Sequence, residues 1–407
     1  MVRVIQAVVW VMSGLGFVLM SVASANPGPA ASGLFALADD AGTASSNPAG
    51  LTRLDRTEWL LQGMFFSSSS EFDSTLTLPD SSEINKVDDS DGSLFVPLLS
   101  YARPINDKLT VGVSGSGMSF GEDLGDDSLS RYLVKEWDLT MATVSPAFGY
   151  KVTDQLSLGA SLNVNYTNYT FKSAIFNGIG PGGEIEPDGE LKLDSTDITV
   201  TGSLGLLYEF SDRTRVGLSY RGESDAKFSD TPDVSGVIGA PPPRRNIDFE
   251  TTMPAILGAG IYHELENGIG MTLDALWIQF SDFGMSEVTV DGSDINVSDQ
   301  NFEDVWAFSA GVSWPLQNRW TLKGGVMATS QFIDDDNRTR TFTMDAIAGV
   351  GAGFEYQWKD DKILAFNLNY FDMGDGPVDT TDGNLSYKGE YDSNYAIGFD
   401  VSLRWLK

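Results

Sequence analysis

Apolar residues alternate with polar or small ones over several long stretches of this chain. In 156–166, Leu156, Leu158, Ala160, Leu162, Val164 and Tyr166 interleave with Ser157, Gly159, Ser161, Asn163 and Asn165. A period of two places the apolar set on one face of an extended strand. The pattern returns at Ile198, Val200, Leu204, Leu206, Tyr208 and Phe210, at Leu364, Phe366, Leu368 and Tyr370, and at Tyr395, Ile397, Phe399, Val401, Leu403 and Trp405. Six short polar turns recur at intervals of roughly fifty residues: Asn106-Asp107, Thr153-Asp154-Gln155, Ser211-Asp212-Arg213, Glu266-Asn267-Gly268, Gln317-Asn318-Arg319 and Lys359-Asp360-Asp361. Between successive turns there is room for two strands and one longer acidic or Gly-rich loop. That rhythm predicts an all-β chain, a transmembrane up-and-down antiparallel barrel with short turns at one end and long loops at the other.

Fourteen strands are expected, at about 57–67, 94–105, 108–120, 138–152, 156–171, 194–210, 214–228, 247–263, 269–283, 303–315, 319–332, 342–358, 363–373 and 389–405. An even count puts both chain ends on the short-turn, periplasmic side. A soluble sandwich would also alternate, yet would rarely need strands this long. The aromatic residues decide between the two. Tyr101, Tyr150, Phe210, Tyr262, Trp314 and Trp358 each precede one of the six turns, as an interfacial girdle requires. On this reading the apolar faces meet lipid and the polar faces line a lumen wider than small-barrel side chains fill, so it is either plugged or open.

Composition narrows the compartment. Residues 1–25 read as a cleaved secretory signal, with Arg3 before an apolar stretch over 8–22 and Ala23-Ser24-Ala25 at the cleavage site. No later run approaches the length of a membrane-spanning helix, which leaves a closed barrel as the way to cross. The chain has no cysteine and a formal charge of -31. Disulfides and thiolate metal sites are thereby excluded, and nucleic acid is repelled. Much of the acidity falls in expected loops, as at Asp88-Asp89-Ser90-Asp91, 122–127 and Asp334-Asp335-Asp336.

Residues 26–56 lack alternation and are rich in Gly, Ala, Ser and Pro. They are too few to build a core of their own, and the lumen would supply one. Here Ala31-Ser32-Gly33-Leu34, Ala38-Asp39-Asp40-Ala41-Gly42-Thr43 and Asn47-Pro48-Ala49-Gly50-Leu51 resemble the N-terminal hatch of the FadL/TodX family of outer-membrane transporters for long-chain fatty acids and other hydrophobic compounds. The resemblance continues through Pro104-Ile105-Asn106-Asp107-Lys108-Leu109, Leu207-Tyr208-Glu209-Phe210, Leu218-Ser219-Tyr220-Arg221, Trp277-Ile278-Gln279-Phe280-Ser281-Asp282-Phe283 and Asn318-Arg319-Trp320-Thr321-Leu322, and so spans nearly the whole mature chain.

The resemblance implies a hatch over 26–56 plugging a barrel over 57–407, with Asp39, Asp40, Asn47, Pro48 and Ala49 as its gating elements. It implies capture of an apolar ligand near the extracellular mouth and exit through a lateral opening beside a kinked third strand. Gly112, Gly115 and Gly117 supply the residues such a kink needs. Two departures stand out. The Gly-Arg-Ala-Tyr-like stretch usual between the Ser-Gly-Leu and Asp-Asp elements is replaced by Phe35-Ala36-Leu37-Ala38, and Trp405 is followed by Leu406 and Lys407 where an aromatic terminus is usual.

Catalysis has little support in the sequence. The single histidine, His263, lies beside a short turn, and most nucleophile–base pairs cannot be assembled. Gly349, Gly351 and Gly353 sit in a strand with no helix to receive a phosphate. Asp334, Asp335 and Asp336 suit a solvated loop tip better than a Ca²⁺ site. By parity Asn163, Asn165, Lys323, Asn367, Asn369, Asp400 and Arg404 face the lumen. Lys323 and Arg404 are the cations there that could meet a ligand carboxylate, or pair with lumen carboxylates. The expectation is a monomeric channel of the bacterial outer membrane, without catalysis or cofactor, in contact with membrane lipid and lipopolysaccharide and passing hydrophobic small molecules down their own gradient. A general polar-solute porin is the alternative.

Overall fold

The computed structural model describes residues 28–407 apart from 78–80, 124, 127–128, 133–134, 179–185, 240–243, 296–300, 339–344 and 383–384. The expected signal over 1–25 and the first two residues of the hatch lie outside the described residues. In chain order the strands are β1 (Glu58–Thr77), β2 (Glu83–Pro104), β3 (Leu109–Asp123), β4 (Glu136–Lys151), β5 (Leu156–Ile175), β6 (Gly189–Ser211), β7 (Thr214–Arg221), β8 (Ser224–Asp230), β9 (Asp233–Ser235), β10 (Ile247–Met253), β11 (Ile256–Glu264), β12 (Gly270–Ile278), β13 (Gly284–Val290), β14 (Ser293–Ile295), β15 (Val305–Pro315), β16 (Trp320–Thr329), β17 (Ala348–Lys359), β18 (Lys362–Asp372), β19 (Val378–Asp382) and β20 (Leu385–Leu406). Fourteen of them form an antiparallel wall in the order β1 to β7, β11, β12, β15 to β18 and β20, and β1 pairs with β20 to close it. Closure leaves neither terminal strand as a free edge, a condition for crossing hydrocarbon with strands.

The short turns are fixed by their own side chains. Asn106 Oδ1 accepts from the backbone N–H of Lys108 and Leu109, Thr153 Oγ1 from those of Gln155 and Leu156, and Asn267 Oδ1 from that of Ile269. These are the local bonds that make Asn and Thr turn residues. Gly268, Asn318 and Arg319 take positive φ, of 83°, 64° and 71°.

Several strands differ from the sequence expectation. β1 and β2 run far past 67 and start well before 94, because their Ser-rich and Asp-rich stretches are held by ladders rather than by an apolar face. The Asp88–Asp91 run is therefore strand, not loop. The strands expected over 214–228 and 247–263 each split in two. β7 pairs with β11 in the wall, whereas β8 pairs with β10 in a separate four-stranded sheet with β13 and β14. Gly222 and Pro254 lie at the breaks, and Pro254 has no N–H to give a ladder. The strand expected over 269–283 likewise ends at Ile278 and gives way to a 3₁₀ turn at Phe280–Asp282.

Outside, Leu61, Phe95, Leu158, Leu204 and Phe308 are exposed, and so are Tyr150, Phe210, Trp314 and Trp358 of the expected girdle, joined by Trp59, Trp320 and Trp405. Tyr262 is the exception. It faces inward, buried beneath the Arg215 guanidinium at 3.9 Å, because Ile261 and His263 take the outer face of β11. His263 is bonded to Thr214 Oγ1 at 2.8 Å on that exposed side.

The inward face changes character along each strand. On β5 it reads Ser157, Gly159, Ser161, Asn163, Asn165 and Thr167, then Tyr169 and Phe171. On β4 it runs from Gly149, Ala147 and Ser145 through Thr143 and Met141 to Leu139 and Trp137. At that upper level the outward positions turn polar, with Asp138, Thr140, Asn168 and Thr170. The apolar side of the pleat therefore switches from outside to inside as the strands leave the membrane. Above the switch, Met64, Phe66, Leu94, Val96, Met118 and Leu139 join the aromatic residues of the four-stranded sheet in one buried cluster inside the wall.

Candidate functional site

The segment ahead of β1 lies against the inner wall. It contains a 3₁₀ turn at Pro29–Ala31, a single helical turn at Thr43–Ser46 and a 3₁₀ stretch at Pro48–Arg53. Glycine in the wall makes this contact possible. A Cβ on Gly159 would lie 2.3 Å from the Ala49 nitrogen, one on Gly217 2.0 Å from the Phe35 carbonyl oxygen, and one on Gly325 2.1 Å from that of Pro29. Only a residue without a side chain lets two backbones approach so closely.

Polar side chains fix the segment. Asn47 is fully buried and caps the 3₁₀ stretch by accepting from Ala49 N at 3.2 Å. Its Nδ2 donates to Phe35 O at 2.8 Å and to Leu206 O on β6 at 3.1 Å, so one side chain ties both limbs of the segment to the wall. Pro48 supplies the first helical φ without needing a donor there. Arg215 donates to the carbonyls of Ala36 and Leu37 at 2.6 and 2.5 Å. Asp274 accepts from the N–H of Gly33 at 2.7 Å and of Phe35 at 3.2 Å. Arg53 pairs with Glu209 at 2.8 Å.

The expected gating carboxylates occupy different environments. Asp40 is buried and accepts from Gly42 N at 2.8 Å. Asp39 is exposed. Its carbonyl accepts from Arg404, and its carboxylate lies 3.7 Å from the same guanidinium. Arg404 also donates to Glu58 at 3.1 Å, and Glu58 accepts from Ala41 N at 3.0 Å. Lys323 meets Glu355 at 2.5 Å. Both cations singled out from sequence thus have carboxylate partners beside the segment. Asp335 of the acidic loop pairs with the fully buried Arg338 at 2.6 Å.

Above the segment a cavity of about 80 Å³ opens toward solvent. Ser116, Gly117 and Met118 of β3, Met141 of β4, Thr167 of β5 and Met253 belong to its wall. One charged residue lines it, Arg221 at the end of β7. Arg221 is half-buried and has no ion pair or hydrogen bond among the described residues. It lies within the Leu218–Arg221 stretch, but parity alone did not separate it from other inward residues. Its distinguishing property is the missing carboxylate, which only tertiary structure reveals.

The cavity adjoins a break in the wall. β3 pairs with β4 without interruption from Leu109 to Asp123. Its ladder with β2 ends at Leu98 and Ser116, so β2 over 83–97 and β3 over 117–123 do not pair with each other. Of the three glycines expected to kink β3, Gly112 packs on Leu51 and Ala44 of the segment, and Gly115 and Gly117 lie at the upper end of the ladder.

A closed fourteen-strand barrel with an inward-lying N-terminal segment and an apolar upper lumen defines a transport protein of the bacterial outer membrane. The family model for outer membrane protein transport proteins (OMPP1/FadL/TodX) matches residues 5–403, and the chain belongs to this family. A long-chain fatty acid transport protein of Escherichia coli O6:H1 is 21% identical over 391 residues, covering 87% of this chain and 86% of that one. The crystal structure of a Pseudomonas aeruginosa FadL homologue superposes with a TM-score of 0.75 at 16% identity, covering 94% and 97%. A structure described as the CymD monoaromatic hydrocarbon channel gives 0.64 at 19%, covering 94% and 98%.

Proposed function

We propose that this chain is a non-enzymatic channel for amphipathic molecules with an apolar body and one anionic head, such as long-chain fatty acids. The observation that carries the proposal is Arg221, a guanidinium without a partner among the described residues, lining a cavity otherwise built from apolar and neutral groups. The apolar body would lie against Met118, Met141 and Met253, whose flexible thioethers adapt to chains of varied shape. The head would meet Arg221 in a charge-assisted hydrogen bond. The name of the Escherichia coli relative agrees with this class. An open polar porin fits less well, because the upper lumen is apolar and the lower lumen is occupied by the segment.

In this reading a leader over 1–25 is removed, 26–56 act as the hatch and 57–407 as the barrel. Asp39, Asp40, Asn47, Pro48 and Ala49 hold the hatch closed toward the periplasm, and the ligand leaves sideways between β2 and β3. Lys323 and Arg404, paired with Glu355 and Glu58, seat the hatch rather than bind the head. The barrel works as a monomer among membrane lipid and lipopolysaccharide. A second reading, passage of neutral aromatic hydrocarbons, is favoured by the likeness to CymD and by the same thioether lining.

Uptake of oleate and of toluene by cells lacking other such channels, with the native chain and with Arg221→Gln, separates the two. Loss of a charge-assisted bond of about 1.5–3 kcal/mol corresponds to roughly 10- to 150-fold weaker oleate binding. Toluene uptake should be unchanged. Equal effects on both compounds, or on neither, would remove Arg221 from the mechanism. Free passage of small polar solutes with uptake of neither would favour the porin.

A further inference from the structure

The seam where the first and last strands meet carries a second polar site, away from the cavity. Gln62 on β1 stands directly across from Ser402 on β20, and Asp400, two residues along the same face, stands across from Asn367 on β18. All four point inward and are almost completely buried, at 1% exposure for Gln62 and Ser402, 3% for Asn367 and 4% for Asp400. Among the described residues the Gln62 amide, Asn367 Oδ1 and Ser402 Oγ have no hydrogen-bond partner. Buried polar atoms in that state destabilise a fold unless something completes them.

Charge points the same way. Asp400 accepts from Asn367 Nδ2 at 2.8 Å, has the Gln62 and Asn369 amides beside it, and has no cation within ion-pair distance among the described residues. The nearby cations are engaged, Lys323 with Glu355 and Arg404 with Glu58 and Asp39. Including Asp40 and Arg215, five carboxylates (Asp39, Asp40, Glu58, Glu355 and Asp400) share this side of the lumen with three cations (Lys323, Arg404 and Arg215). The surplus is negative, and Asp40, Glu58 and Asp400 are buried, where charges interact strongly.

We propose that Gln62, Asn367, Asp400 and Ser402 hold a monovalent hard cation such as Na⁺ on the lumen side of the seam. The donors are all oxygens, which suits a hard ion and excludes a soft one. One carboxylate among three neutral groups matches a single positive charge, whereas tight Ca²⁺ sites gather several carboxylates. The ligands come from β1, β18 and β20, so the ion would bridge the two ends of the wall. Binding to the closed barrel alone stabilises closure by mass action.

Thermal unfolding of the purified barrel in NaCl and in choline chloride at equal ionic strength isolates ion binding from general screening. The native chain should unfold several degrees higher in NaCl, with a saturable dependence, and Asp400→Asn should respond equally to both salts. Crystals of the native chain soaked in Tl⁺ should show an anomalous peak among the four side chains, a readout that does not depend on any variant folding. Identical unfolding in both salts, an undiminished Na⁺ response in Asp400→Asn, or ordered water without anomalous signal would overturn the assignment.

Discussion

Adding a side chain to Gly159 tests whether the N-terminal segment is seated against β5 as described. A Cβ there would lie 2.3 Å from both the Ala49 nitrogen and the Pro48 carbonyl carbon, and these are backbone atoms that cannot rotate away. Gly159→Leu therefore forces the Asn47–Ala49 corner off the wall. Overpacking alone costs about 1–3 kcal/mol. Separation of Asn47 from Leu206 O and Phe35 O leaves buried groups unpaired, at about 1–3 kcal/mol each, so a total of roughly 3–9 kcal/mol is expected. Gly202 on β6 supplies the control, because a Cβ there meets nothing within 4 Å. Heat-modifiability on gels should place the unfolding midpoint of Gly159→Leu roughly 5–10 °C below native, and planar-bilayer recordings should show raised ion conductance. Gly202→Leu should match the native chain in both assays. Indistinguishable behaviour of the two variants would refute the seating of Asn47–Ala49 on β5.

Arg404→Met removes the partner of Glu58 and Asp39; breaking a buried pair costs about 3–5 kcal/mol, and the added change Glu58→Gln should recover part of the loss in unfolding experiments. Gly117→Phe adds bulk at the cavity mouth, where a Cβ would make only ordinary contact at 3.4 Å with Met141 O, so oleate uptake should fall while the unfolding midpoint holds. Deleting 28–56 should convert the barrel into an ion-conducting pore, measured as a rise in single-channel conductance. Asn47→Ala should lower the unfolding midpoint more than Thr52→Ala, since the fully buried Asn47 serves three backbone groups and the half-buried Thr52 makes two bonds.

The wall was legible because lipid imposes strict alternation at positions such as Leu158, Leu162 and Val164. Each of the fourteen wall strands overlaps one expected segment, although several overrun it, and Tyr150, Trp314 and Trp358 mark one end of them. What escaped reading lies where lipid no longer selects. The upper halves of β1 and β2 carry Ser and Asp, whose strand character comes from pairing of β1 with both β2 and β20 rather than from pattern. The reversal on β4, where Leu139 and Trp137 turn inward while Asp138 faces out, is written in the sequence as a change of phase. It passed unnoticed because a period-two reading records alternation without recording which face is which. Arg221 was hidden for another reason: its lack of a carboxylate neighbour depends on every strand around it.

The ladder that completes the wall joins Glu58 to Leu406, and Thr57 and Lys407 exchange both backbone hydrogen bonds beyond it. In terms of assembly, these are contacts between the two ends of the chain. They form only after the last strand has been delivered, so the loop they close spans the whole barrel. The segment before β1 must reach its glycine-lined seat either before that moment or through the open extracellular mouth. Loss of β20 would leave β1 as a bare edge facing hydrocarbon, which ties quality control of the whole barrel to the arrival of that strand.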